Sequence, residues 1–102
     1  MKHSKLFVLA FLILSLVLVG YQCGSTEITS AKLYIQQKNY DKAVEVLQKE
    51  ITKNPKSDEG YYLLGYVQGE QGNFEGMVDS YDKSLAISKN FEKNINEVRN
   101  RA

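Results

Sequence analysis

A segment that occurs twice sets the main constraint on this chain. Residues 38–51 return 34 positions later as residues 72–85. Asn39 recurs as Asn73, Tyr40 as Phe74, Asp41 as Glu75, Glu45 as Asp79, Lys49 as Lys83 and Ile51 as Leu85. A fixed period of this size marks a stacked-repeat architecture. One supersecondary unit cannot bury its apolar face alone and leans on the next. Such an array presents a surface to other molecules rather than enclosing a reaction chamber.

The stretch before Cys23 reads differently. Met1-Lys2-His3-Ser4-Lys5 is a short basic stretch. Leu6 to Val19 is apolar apart from Ser15, and Gly20 to Thr26 turns small and polar. This is the layout of a secretory signal peptide. As a helix the 14-residue run reaches about 21 Å, short of the roughly 30 Å hydrocarbon core. Extended without charge to Cys23, it also reads as an uncleaved membrane anchor. Residues 1–22 are therefore assigned to a signal peptide or anchor and 23–26 to a short tether. The repeat domain is assigned to 27–102. Without Lys2 and Lys5, the 13 Lys+Arg fall to 11 against 12 Asp+Glu, a net charge of −1. No basic surplus remains for nucleic acid.

Beyond the tether, apolar residues fall at helical spacing. A first helix from Glu27, cappable by Ser25 or Thr26, carries Ile28, Ala31 and Ile35 inward, with Leu33 and Tyr34 alongside. Lys38-Asn39 closes it, and Asn39 suits the left-handed conformation of a tight turn. A second helix over 41–53 buries Ala43, Val44, Leu47 and Ile51, and Asn54-Pro55 stops it. Ser57 caps a third helix, in which Gly65 costs roughly 1 kcal/mol relative to alanine and so signals close helix contact. A fourth over 75–88 points Met77, Val78, Tyr81 and Leu85 inward. A fifth starts at Asn90 with Ile95, Val98 and Ala102 on one face. No strand pattern occurs in the sequence. The predicted fold is all-α, built of antiparallel helix pairs.

These residues resemble the tetratricopeptide repeat family, whose pattern is W-x2-L-G-x2-Y, A-x3-F and P at this same period. In residues 58–91 Tyr61 takes the Trp slot, Leu64-Gly65 match, Gln68 replaces Tyr, Met77 replaces the small Ala, and Tyr81 takes the Phe slot. In residues 24–57 Ala31, Tyr34, Ala43, Leu47 and Pro55 fit, whereas Glu27 and Ser30 stand in the Trp and Leu slots. Residues 92–102 begin a third unit or form a cap, giving about two and a third repeats. The resemblance implies that small Ala31, Ala43 and Gly65 let the two helices of a pair approach closely, and that Tyr61, Tyr81 and Leu47 fill the gap to the next pair. It also implies a concave groove for a peptide or protein partner. The groove positions would be Lys32, Gln36, Glu59, Tyr62, Tyr66, Glu70, Lys93, Asn96 and Asn100. Tyr62 and Tyr66 have a second reading, as packing against the neighbouring helix. The Lys/Asn/Arg set by which some members clamp a C-terminal carboxylate is not reproduced.

Cys23 is the single cysteine, so the sequence holds no intrachain disulfide. Its position after the apolar run resembles a bacterial lipoprotein signal, in which this cysteine is lipidated. Gln22 and Gly20 depart from the residues usual before it. The resemblance implies an exported protein, membrane-anchored on the extracytoplasmic side, with a protein partner in the cell envelope. His3 is the only histidine and lies in the leader. The remainder cannot assemble the common zinc sets or a His-activated nucleophile. The expectation is a non-catalytic scaffold without cofactor or metal. An apolar face is expected to stay open at the C-terminal end, which self-association, a partner or further sequence beyond Ala102 would cover. In the last case the chain is the N-terminal structural piece of a larger envelope protein.

Overall fold

The computed structural model describes residues 25–101. The leader, Cys23, Gly24 and Ala102 lie outside the described residues, and so do the readings that rest on them. Among the described residues five helices follow in order: α1 (Thr26–Gln36), α2 (Tyr40–Lys53), α3 (Asp58–Glu70), α4 (Phe74–Ile87) and α5 (Glu92–Arg101). No strand occurs among the described residues. The helices α1 and α2 pack as one pair and α3 and α4 as another, and α5 begins one period on from α3.

Local chemistry sets the helix ends. Ser25 Oγ accepts from the Ile28 amide at 3.4 Å, Ser57 Oγ from Gly60 at 3.1 Å and Asn73 Oδ1 from Gly76 at 3.0 Å, each satisfying an amide the helix leaves free. Ser25 is thus the first cap and Thr26 is helical, so the tether stops one residue sooner than expected. The helix α4 starts at Phe74 because Asn73 caps it, and α5 starts at Glu92 rather than Asn90. The Asn90 side chain is engaged elsewhere, with Nδ2 donating to Asp58 Oδ2 at 3.0 Å.

Both intra-pair turns share one geometry. The Lys38 amide donates to Ile35 O at 3.0 Å and Asn39 to Tyr34 O at 2.8 Å; one period later, Gly72 donates to Gly69 O at 3.1 Å and Asn73 to Gln68 O at 2.8 Å. This nested pair of bonds closes a helix on a left-handed residue. That residue is Lys38 (φ 57°) or Gly72 (φ 80°), not Asn39 as the sequence suggests; Asn39 has φ −88°. A non-glycine residue in this region costs roughly 1–2 kcal/mol. Part of that is returned by glycine's freedom in the unfolded chain. Lys38→Gly is expected to stabilise the fold by about 0.5–1 kcal/mol, read as a higher urea midpoint with an unchanged slope.

Two cores run through the array. The first joins Ile28, Ala31, Ala43 and Leu47 to Leu64 and Val67 of α3, so it straddles the boundary between the pairs. The second gathers Met77, Tyr81 and Ile95, with Tyr62, Leu85, Phe91 and Val98 against them. Val78 departs from the expected inward face of α4 and is 45% exposed, beside Phe74 at 64%. Leu33 is also exposed, at 52%. Polar groups tie the elements together. The buried Glu50 carboxylate accepts from the Ser25 hydroxyl, and Lys53 meets Glu27 at 2.5 Å. Ser80 Oγ and the Gln68 carboxamide lie 2.6 Å apart between α3 and α4.

Asp58 at the start of α3 is clasped by the end of α4. Ser88 Oγ donates to its carboxylate at 2.5 Å, and Ser84 Oγ donates to its carbonyl at 2.9 Å. The Ser88 hydroxyl, more than the Asn90 amide and nearby backbone N–H groups, holds the Asp58 carboxyl below its ordinary pKa. A carboxylate depressed in the folded state stabilises the fold above its unfolded pKa of about 3.9. That contribution fades as pH falls through the folded value. Ser88→Ala is therefore expected to be less stable near neutral pH and to lose less of its remaining stability on acidification below about pH 4. Urea midpoints measured across that range check both.

Candidate interaction surface

The groove positions named from sequence separate into three groups. Lys32, Gln36, Tyr62 and Tyr66 come together, with Ile35 and Leu63, around a shallow hollow of about 310 Å³ between α1 and α3. Glu59 sits at its edge, tied to Lys32 Nζ at 2.6 Å. Glu70 lies one turn beyond Tyr66 in a second hollow of about 360 Å³, toward α4 and α5. Lys93, Asn96 and Asn100 line a third, on α5, with Lys89, Glu92 and Glu97. Neither Tyr62 nor Tyr66 lines that third hollow, so the α5 residues stand apart from the other two groups.

The two tyrosines of α3 do different work. Tyr62 is half-buried: its ring stacks on Phe91 at 4.6 Å with planes 9° apart, and on Tyr81 at 6.1 Å with planes 25° apart. It therefore belongs largely to the second core, which is the packing alternative. Tyr66 is 36% exposed and lines both the first and the second hollow. Burial, and next the charge of Glu70, raise the Tyr66 pKa; burial, and next Tyr66, raise that of Tyr62. Both phenols stay protonated at neutral pH. Tyr66 can thus offer a partner a rigid ring and an O–H donor together.

The packing positions also show why the face has this shape. A Cβ on Gly65 would stand 2.5 Å from Tyr81 Cδ1, so the missing side chain lets the Tyr81 ring lie against α3 within its own pair. Tyr61 is half-buried, with Lys83 Nζ 5.9 Å from its ring centroid. Ala31, Ala43 and Leu47 are buried in the first core and Tyr34 packs at its margin. Leu64 joins that core, whereas Met77 joins the second. Two features escaped sequence reading. One is the burial of Glu50, an ordinary surface residue type at helical spacing. The other is the second hollow, whose sequence signals are Gly69 and Arg101 in the places of Ile35 and Val67 one period earlier.

Residues 31–72 match a family model described as TPR repeat, and residues 58–91 match one described as Tetratricopeptide repeat. The chain carries tetratricopeptide repeats. The first match begins at Ala31, past Glu27 and Ser30, where α1 lacks the large residues of the pattern. No curated protein matches the chain. Tetratricopeptide repeats mediate protein–protein interaction and are typically non-catalytic. Among the described residues no group of three His, Cys, Asp or Glu side chains could hold a metal ion, and no helix is long and apolar enough to cross a membrane.

Proposed function

We propose that this tetratricopeptide-repeat protein is exported and anchored on the extracytoplasmic side of a bacterial membrane. Its anchor would be a lipid on Cys23 or the apolar segment before it. There it holds another envelope protein through the α1–α3 face. The observation that carries the reading is the hollow beside Tyr66, where an exposed aromatic stands among Lys32, Gln36 and Leu63. An aromatic anchor flanked by aliphatic and amide groups is the composition that carries binding energy at interfaces.

A photoreactive residue placed at Gln36 of the full chain in its host is expected to crosslink one discrete envelope protein. The same residue at Gln48, exposed on α2, should not. Equal crosslinking from both positions would remove the face assignment. The intact mass of the membrane-extracted chain reports the anchor separately. A start at Cys23 with acyl groups supports lipidation, an unprocessed chain indicates the apolar anchor, and an unmodified start elsewhere retires both.

A further inference from the structure

One edge of the array is fastened to the start of the described chain. The beginnings of α1, α3 and α5 and the ends of α2 and α4 lie along it, as antiparallel pairs require. Cross-helix bonds fix that alignment. Ser25 donates to the buried Glu50 carboxylate, and Lys53 pairs with Glu27 at 2.5 Å. Asp58 is held by Ser84, Ser88 and Asn90. Ser25 is therefore part of the folded unit rather than of a free tether. Only Gly24 stands between it and Cys23, a reach of at most about 7 Å. A domain anchored at Cys23, or through an apolar run extended to it, keeps this edge next to its membrane.

The charges of this edge are sorted by sign. The carboxylates of Glu27, Glu50, Asp58 and Glu59 are engaged within the protein, by Lys53, Ser25, Ser88 and Lys32 in turn. Besides the paired Lys53, the edge exposes Lys56, Lys89 and Lys93, and Glu92 is the one exposed carboxylate among its described residues. Lys56 lies between α2 and α3 and Lys89 between α4 and α5, so with Ser25 they mark three points along the array. The opposite edge, at the Lys38 and Gly72 turns, exposes Asp41, Glu70 and Glu75 against Lys38, Lys42 and Arg101 and has no such surplus.

We infer that the lysine edge rests on anionic lipid headgroups, with the helices standing away from the bilayer. Lysines within a Debye length of an anionic surface are drawn to it. Helices of 10 to 14 residues rise about 15–21 Å. The Lys38 and Gly72 turns therefore stand about 20 Å above the headgroups, and the α1–α3 face opens sideways between the two levels. A protein surface fits this edge less well. The exposed large apolar residues Leu33, Tyr66, Phe74 and Val78 all lie away from it, and lysine is depleted where proteins meet. The placement rests on the anchoring proposed above, in either of its forms.

The test uses the full chain, isotope-labelled and extracted from its host, in nanodiscs of mixed phosphatidylglycerol and phosphatidylcholine. A gadolinium chelate carried on a lipid headgroup speeds the relaxation of amides near the surface. The enhancement at Lys56 and Lys89 is expected to exceed that at Lys38 and Gly72 by at least about tenfold, since the two edges lie about 20 Å apart. In phosphatidylcholine alone, or in a variant with Lys56→Glu and Lys89→Glu, that contrast should fall severalfold. Both lysines are exposed, and the milder Lys56→Gln with Lys89→Gln serves if the charge reversal lowers the melting temperature. Equal enhancement at the two edges overturns the inference. So does a contrast undiminished in the folded variant, which would mean that the tether alone sets the orientation. Both outcomes leave the anchoring intact. A chain recovered outside the nanodisc fraction removes the anchoring itself, and the lysine edge loses its membrane with it.

Discussion

Gly65→Ala will destabilise the repeat domain by up to about 2 kcal/mol through overpacking, although alanine is the better helix former. The added Cβ would stand 2.5 and 2.6 Å from Tyr81 Cδ1 and Cε1. The ring cannot retreat freely, because it is 1% exposed and stacked on Tyr62. Overpacking of this kind costs typically about 1–3 kcal/mol, and its upper end exceeds the about 1 kcal/mol gained in helix propensity. The chain contains its own control. One period earlier the two positions hold Ala31 and Leu47, both fully buried in a closed core. A small residue therefore need not be glycine when the side chain facing it is leucine. Tyr81→Leu alone should cost about 2–4 kcal/mol through lost volume. Gly65→Ala with Tyr81→Leu should be more stable than the sum of the two losses by at least about 1 kcal/mol. Urea unfolding of the four proteins measures that coupling. Strict additivity would mean that the two residues do not share one packing problem.

The same pair shows how far the sequence could be read. The period, the helix order and the two-pair arrangement were legible because each rests on local spacing: apolar residues at helical intervals, Ser57 before acidic residues, Asn54-Pro55 after a basic turn. The glycine inside α3 was legible as admitting the other helix of its own pair, but not as facing Tyr81, which the pattern places in the gap to the next pair. The turn was located correctly and its strained residue was not. Asn39 is the residue type that tolerates positive φ, yet the nested bonds to Ile35 and Tyr34 place that conformation on Lys38. Val78 looks inward by periodicity. Periodicity assumes something to face, and α5 offers Glu97 and Arg101 where α3 offers Leu63 and Val67. Burial of Glu50 depends on the Ser25 hydroxyl reaching it from a distant part of the chain, a contact with no local signature.

The groove residues were legible as a set but not as a site, and the two tyrosines of α3 separate the cases. Tyr62→Ala is expected to cost about 2–3 kcal/mol. It removes a half-buried ring stacked on both Phe91 and Tyr81, and aromatic pairs add about 0.5–1.5 kcal/mol beyond the area they bury. In a domain of this size the melting temperature should fall by roughly 10 °C or more. The Phe91–α5 region should loosen first, visible as faster amide exchange at Ile95, whose burial depends on the same cluster. Tyr66→Ala should leave the melting temperature within a few degrees, since exposed substitutions usually change stability by less than about 0.5 kcal/mol. It should nevertheless weaken crosslinking from Gln36 about tenfold, a loss of roughly 1.4 kcal/mol in binding. A double substitution would confuse the two effects, because reduced capture would follow from a loosened fold as readily as from a missing contact. The single variants keep them apart. If Tyr66→Ala is as stable as the parent and captures as well, the α1–α3 face is not where the partner sits. If Tyr62→Ala melts like the parent, its stacked geometry contributes nothing and the second core is held by its other members.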